Sequence, residues 1–224
     1  MYKGLGCLLP LMAPLTASAL EFQLMPAWDS KYASEGRNQL AKGGLYSLDA
    51  YLAHGDWGVE LWHGRGDQTD YRETDATLEY VPSLGKLTPF VSITRLRSDP
   101  GRDYDSEVAL GGEFLLKPWL IPGIEATYSH QAEGTFVLLS LRTVKALSKT
   151  VSINGRLSQG LDYGYTSEAH DGPNHQQLDV TLSWQYAPRL SLFVAGHHSW
   201  AGEDVRRDGG GDLSWFGVGL NGYF

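Results

Sequence analysis

The run that decides the fold is Asp212-Leu213-Ser214-Trp215-Phe216-Gly217-Val218-Gly219-Leu220-Asn221-Gly222-Tyr223-Phe224. Counting back from Phe224, the positions Gly222, Leu220, Val218 and Phe216 fall on one face of an extended chain, and Trp215, Asn221 and Tyr223 fall on the other. Side chains alternate across a strand, so this run predicts a strand with one apolar and one mixed face. A soluble domain commonly ends in a frayed polar tail. A chain that ends inside a strand is expected to pair that strand with another, here the one near Glu21–Tyr32.

The same two-residue period dominates the chain from residue 20 onward. Leu178, Val180, Leu182 and Trp184 alternate with Asp179, Thr181, Ser183 and Gln185, and Tyr46, Leu48, Ala50 and Leu52 alternate with Ser47, Asp49, Tyr51 and Ala53. Segments of this kind lie near 21–32, 44–54, 57–65, 73–82, 86–97, 106–117, 123–132, 134–144, 149–160, 176–187, 189–200 and 212–224. None carries a 3.6-residue stripe, so the class is all-β. Long polar connections such as R-S-D-P-G-R-D-Y-D take turns with short ones such as H-G-D-W. Up-and-down strands would then have long loops at one end and tight turns at the other, the rhythm of an outer-membrane barrel. The segments are about as long as the 9–11 residues a tilted membrane strand needs, whereas strands of soluble sandwiches are nearer 5–6. The expectation is a closed antiparallel transmembrane β-barrel of twelve strands, with ten as the alternative count, and both termini on the periplasmic side.

The N-terminus reads as an export signal over residues 1–19, followed by one barrel domain over 20–224. Lys3 is the only charge among the first twenty residues, Leu5–Leu15 is a short apolar core, and Ala17-Ser18-Ala19 is a small-residue cleavage site. Cys7, the only cysteine, would leave with it. The formal net charge of −8 argues against a nucleic-acid partner. No metal-ligand spacing recurs, although His170, His175 and Asp171 share one connection, and no cofactor is implied. The loop acids Asp67, Asp70, Asp208 and Asp212 read as solvated charge.

The terminal run, with Phe216, Val218, Leu220 and the final Phe224, resembles the C-terminal signature of Gram-negative outer-membrane proteins. That resemblance implies an outer-membrane location, contact with outer-membrane lipid and lipopolysaccharide, and recognition of these four residues by the barrel assembly machinery. Trp28-Asp29-Ser30-Lys31-Tyr32, then Ser34-Glu35-Gly36-Arg37, then Gly43-Gly44 ahead of a strand resembles small porins of the TorF type. This second resemblance implies a small monomeric barrel with a channel role.

If the more apolar face meets lipid, the lumen carries Asp49, Glu60, Asp75, Glu79, Glu107, Glu113, Glu125 and Asp179 against Arg142 and Arg156. Eight acids against two bases favour cations and neutral polar solutes over anions. Small monomeric channels for acidic oligosaccharides would need the opposite sign. Trp57, Trp119, Trp184, Trp200 and Trp215 sit near strand ends, where interfacial girdles form, although the parity of the last strand turns Trp215 inward. One constellation could carry chemistry: His197-x-Ser199 on one strand, with Asp212 opening the next. It resembles the His-x-Ser of lipid A deacylase barrels, which would make His197 the base, Ser199 the nucleophile and Asp212 the orienting acid. Two departures are plain: Trp200 stands where that family has Asn, and Asp212 stands where it has Glu. Parity also turns Leu190, Leu192 and Val194 toward lipid, so His197 and Ser199 face away from it.

Overall fold

A computed structural model of the chain describes residues 20–101, 103–167 and 171–224. The expected signal segment and His170 lie outside those residues. The strands are β1 (Glu21–Asp29), β2 (Ala33–Ser34), β3 (Arg37–Asn38), β4 (Leu45–His54), β5 (Trp57–Gly66), β6 (Arg72–Tyr80), β7 (Leu87–Asp99), β8 (Asp103–Phe114), β9 (Ile121–Ser129), β10 (Gly134–Ala146), β11 (Val151–Tyr163), β12 (Asp171–Ala187), β13 (Leu190–Ala201) and β14 (Leu213–Tyr223), with one short helix, α1 (Glu203–Arg207). Twelve strands close into an antiparallel barrel, and β2 and β3 form a separate two-stranded hairpin. The alternative count of ten is thereby corrected.

Closure runs through the C-terminal strand β14, which pairs with β1. Gln23 pairs with Tyr223 and Trp28 with Val218, and Phe22 and Phe224 exchange backbone hydrogen bonds of 3.2 and 2.8 Å. The β1–β14 ladder is interrupted between Leu24 and Ala27, where Pro26 has no N–H to give. Closing the sheet removes both edges, which is what lets a β structure sit in hydrocarbon. The start of β1 and the end of β14 lie at the same end of the barrel.

The outer face is apolar: Leu48, Leu61, Ile93, Leu110, Ile124, Val194 and Phe216 are all exposed. A continuous apolar girth of this kind is out of place in water and suited to lipid. Aromatics ring it at both ends. Near the chain termini stand Phe22 with Phe224, Trp57 with Tyr80, and Trp184 with Tyr186. At the other end stand Trp28 with Phe216, and exposed Tyr104, Tyr128 and Trp200. Trp57, Trp119, Trp184 and Trp200 are exposed as girdle residues should be, whereas Trp215 is buried. It stacks on His197, at 4.9 Å between ring centroids and 11° between planes.

Several loops are shorter than the polar runs suggested. The run R-S-D-P-G-R-D-Y-D is largely strand, because β7 continues to Asp99 and β8 begins at Asp103. Likewise β12 begins at Asp171 rather than near 176, across a register shift at Gly160/Leu161. Strands that rise above the membrane have water on their outer face, so they lose the apolar alternation by which strands are recognised.

Candidate functional site

The ten charged residues expected at the lumen lie on the face of the sheet opposite the exposed apolar residues. Register pairs Asp49 with Trp62 and Trp62 with Asp75, Tyr51 with Glu60, Gly58 with Glu79, and Thr94 with Glu107. Each of these rungs lies opposite in phase to the exposed apolar ones. The acids Asp49, Glu60, Asp75, Glu79, Glu107, Glu113 and Glu125 all come from β4, β5, β6, β8 and β9. Arg142 and Arg156 are directly paired on β10 and β11, and Asp179 continues the same rung on β12, followed by His197 on β13. Charged residues are therefore unevenly spread over the inward face, with acids concentrated on β4–β9 and the arginine pair on β10 and β11. Asp29, Glu73, Asp105 and Asp162 join the inward set by the same register. They were missed because each lies at or near the outer end of its strand.

Contacts inside the wall already join several of these groups. Arg142 forks onto both oxygens of Glu113. Tyr51 donates to Glu79 at 2.6 Å, and Thr127 to Glu125 at 3.1 Å. Tyr165 donates to Glu107. Asp179 accepts from Gln177 at 2.8 Å and faces His197 Nδ1 at 2.6 Å.

This last contact revises the expected triad. His197 is oriented by Asp179, not Asp212. Asp212 accepts from the Ala201 N–H at 2.9 Å and from Arg206 at 3.0 Å, beyond the top of the strand pair. Ser199 is on the inward face with His197, and its Oγ is buried without a hydrogen-bond partner among the described residues. The loop acids are also engaged: Asp67 accepts from Trp28 Nε1 at 3.0 Å and from the Gly44 N–H at 2.8 Å, and Asp208 is paired with Arg37.

The main feature that the sequence did not announce is the first external connection, residues 30–44. Within it, β2 and β3 pair Ala33 with Asn38 and Ser34 with Arg37. The two residues between them, Glu35 and Gly36, have φ of 45° and 75°. Two central residues with positive φ make the primed turn that suits a two-residue hairpin. That turn is normally signalled by Asn-Gly or Asp-Gly; here Glu holds the first position, against its steric preference.

The hairpin folds across the mouth. On one side Tyr32 stacks on Trp62 of β5, at 6.0 Å and 27°. Tyr32 also donates to Glu73 of β6 at 2.7 Å, and Tyr71 donates to the same carboxylate. Burial first, then the charge of Glu73, pushes both phenols well above their ordinary pKa, so both remain donors. On the other side, Ala33 and Glu35 share a cavity with Phe136, Leu138, Arg156 and His175. A Cβ on Gly36 would stand 2.8 Å from Cβ of His175, so only glycine allows this approach.

A polar latch holds the hairpin there. Arg37 donates to Asp204 at 3.1 Å and to Asp208 at 2.5 Å, joining the first external loop to α1 in the last. Asp204 also accepts from Asn174 at 2.5 Å, and Asn174 contacts His175 Nδ1 at 2.7 Å. Val205 beside them is fully buried. Burial lowers the Arg37 pKa, but hydrogen bonds to Asp208 and Asp204 more than offset this and raise it.

No family model and no curated protein matches the sequence. Among solved structures, a KdgM porin in complex with disordered oligogalacturonate superposes with a TM-score of 0.63 at 10 % identity, covering 91 % of this chain and 99 % of that one. A NanC porin gives 0.59 at 10 % identity, covering 90 % and 98 %. The COG4313 outer membrane channel from Pseudomonas putida F1 gives 0.53 at 10 % identity, covering 94 % and 97 %. At such identities the likeness establishes the fold alone, that of outer-membrane porin and channel barrels.

Proposed function

We propose that this protein is a small channel of the Gram-negative outer membrane, passing small polar or cationic solutes through a narrow acidic lumen. The observation that carries the reading is the acidic wall formed by Asp49, Glu60, Asp75, Glu79 and Glu125, all turned into a closed barrel with an apolar exterior. A shared fold with porins supports throughput, and the wall's charge supports its sign. Carboxylates lining a pore raise the local concentration of cations and lower that of anions.

The reading differs from what the KdgM comparison would suggest by itself. That porin was solved with oligogalacturonate, a polyanion. In this chain Arg142 is engaged by Glu113, and acids dominate the remaining wall, so a polyanion meets repulsion along most of its path. The hairpin across the mouth would admit only solutes of limited size. A monomer suffices, because one chain closes the barrel.

Planar-bilayer recording of the purified protein across a salt gradient tests this. Discrete conductance steps with a reversal potential on the cation side are expected. Absence of conductance overturns the channel, and anion selectivity overturns the acidic-lumen argument.

A further inference from the structure

The outer third of β5, β6 and β7 breaks the apolar girth. Register places Arg65 opposite Arg72 and Arg72 opposite Asp99. One rung nearer the membrane, His63 lies opposite Thr74, Thr74 opposite Arg97, and Arg97 opposite Tyr104 of β8. One rung further in, Ala76 lies opposite Arg95 and Arg95 opposite Ser106. All these rungs are in phase with exposed Leu61, Leu78, Ile93 and Val108, so the four arginines point outward, away from the lumen. They sit at the end of the barrel opposite the termini, around the girdle residue Tyr104.

The local chemistry is unusual for a barrel exterior. Like charges directly opposite on paired strands repel, yet Arg65 and Arg72 occupy such a pair, and neither has an ion pair among the described residues. Arg95 and Arg97 both lie over the Tyr104 ring, each 5.6 Å from its centroid. Arg95 donates to Ser106 at 2.5 Å, while Arg97 reaches Asp99 at only 3.7 Å. These contacts hold the guanidinium groups in place without neutralising them, since one aspartate serves four arginines. Arg72, Arg95 and Arg97, together with His63 and Thr74, line a shallow groove of about 530 Å³.

We infer that this patch is a binding site for the phosphate groups of an outer-leaflet lipid, the phosphorylated glucosamine headgroup of lipopolysaccharide. An arginine fork matches phosphate oxygens in pairs. Anionic headgroups gather at basic pockets on the membrane-facing surface of proteins. The position selects the source: a soluble phosphate would not need a site at the level of an interfacial tyrosine, with acyl-chain contacts such as Ile93 and Val108 directly beneath it. A bound phosphate also relieves the Arg65–Arg72 repulsion. The inference rests on the outer-membrane placement proposed above, but not on conduction.

Native mass spectrometry of the detergent-purified protein tests it, titrated with diphosphorylated lipid A and with the same lipid after removal of its phosphates. Binding of the phosphorylated form is expected, with a loss on the order of tenfold or more for the dephosphorylated lipid and for the triple variant Arg72→Gln/Arg95→Gln/Arg97→Gln. Lys145→Gln, which removes an outward base elsewhere on the barrel, should bind as the parent does. Should the triple variant fail to fold, Arg72→Gln and Arg95→Gln alone should each weaken binding several-fold. Equal binding of both lipids, unchanged binding by the variants, or no binding by the parent overturns the site. Conductance recorded on the same preparations separates the two readings: a lipid result that fails while conductance persists leaves the channel standing, and the reverse leaves the lipid site.

Discussion

Replacing Arg37 with alanine should release the hairpin from the mouth while leaving the barrel closed. The magnitude follows from what Arg37 touches. Its contact with half-exposed Asp208 is a surface pair worth little. The contact with Asp204 matters more, because that side chain is 0 % exposed and, among the described residues, only the Asn174 amide also donates to its carboxylate, at 2.5 Å. A hydrogen bond to a buried charged group contributes roughly 1.5–3 kcal/mol, so the loss is set at about 2–3 kcal/mol. At 1.4 kcal/mol per decade this shifts the docked–undocked equilibrium by about 30- to 150-fold. Amide exchange reads that shift directly, since opening of a local unit exposes its own hydrogen bonds. The Gln39 N–H, which donates to the Tyr32 carbonyl at 2.7 Å, should exchange faster by that factor, with the amides of β10 and β11 unchanged. Arg37→Lys keeps the charge without the fork and should fall between. Unchanged exchange at residues 32–39, or acceleration spread evenly through the barrel strands, would refute the latch.

Four further outcomes follow. Arg156→Gln removes one arginine of the inward Arg142–Arg156 pair and should move the reversal potential further to the cation side; a shift toward anions would show that the wall does not set selectivity. Leu220→Arg puts a charge on the lipid face midway between the girdle residues Phe216 and Phe224 and should weaken folding into vesicles by about 2–4 kcal/mol, whereas Asn221→Asp, one residue on and inward, should fold normally. Tyr32 and Tyr71 hold their protons more tightly folded than unfolded, so the unfolded form ionises first as pH rises through the ordinary value of 10.0. Their contribution is complete below that pH and should be lost above it, seen as mouth amides that exchange faster than the bare pH trend in the parent but not in Tyr32→Phe/Tyr71→Phe. Ser199→Ala should leave the lipid A acyl pattern of expressing cells unchanged by mass spectrometry, because Ser199 lies on the lumen side; a deacylated species that disappears with this variant would restore the hydrolase reading.

The barrel was legible because lipid imposes a simple demand on every outward position. Phe216, Val218 and Leu220 could be assigned to the outward face from spacing alone, and the inward placement of ten charged residues followed from the same parity. Legibility ended where lipid ends. The outer part of β12, with Gly172 and Pro173, reads as a loop because no hydrocarbon faces it. Trp215 was ambiguous for a related reason: nearness to a strand end suggests the girdle, while parity points inward, and parity prevailed through stacking on His197. The pairing of His197 with Asp179 instead of Asp212 needs the β12–β13 register, which alternation alone cannot supply. The hairpin over the mouth was hidden by Glu35, whose positive φ no sequence rule expects.

These limits bear on what can be carried over from proteins of the same fold. The outer face and the closure of the sheet are met by many apolar residues in many orders, which is how a TM-score of 0.63 coexists with 10 % identity. The groups that would choose a solute obey no such degeneracy. Glu113 against Arg142, Asp179 against His197 and Arg37 against Asp204 each depend on one side chain meeting another across a given register. A barrel can keep its architecture while every one of these pairs changes sign. The solute is therefore better argued from the acidic wall and the hairpin than from the ligand of a similar barrel, and the reversal potential is the measurement on which the two arguments disagree.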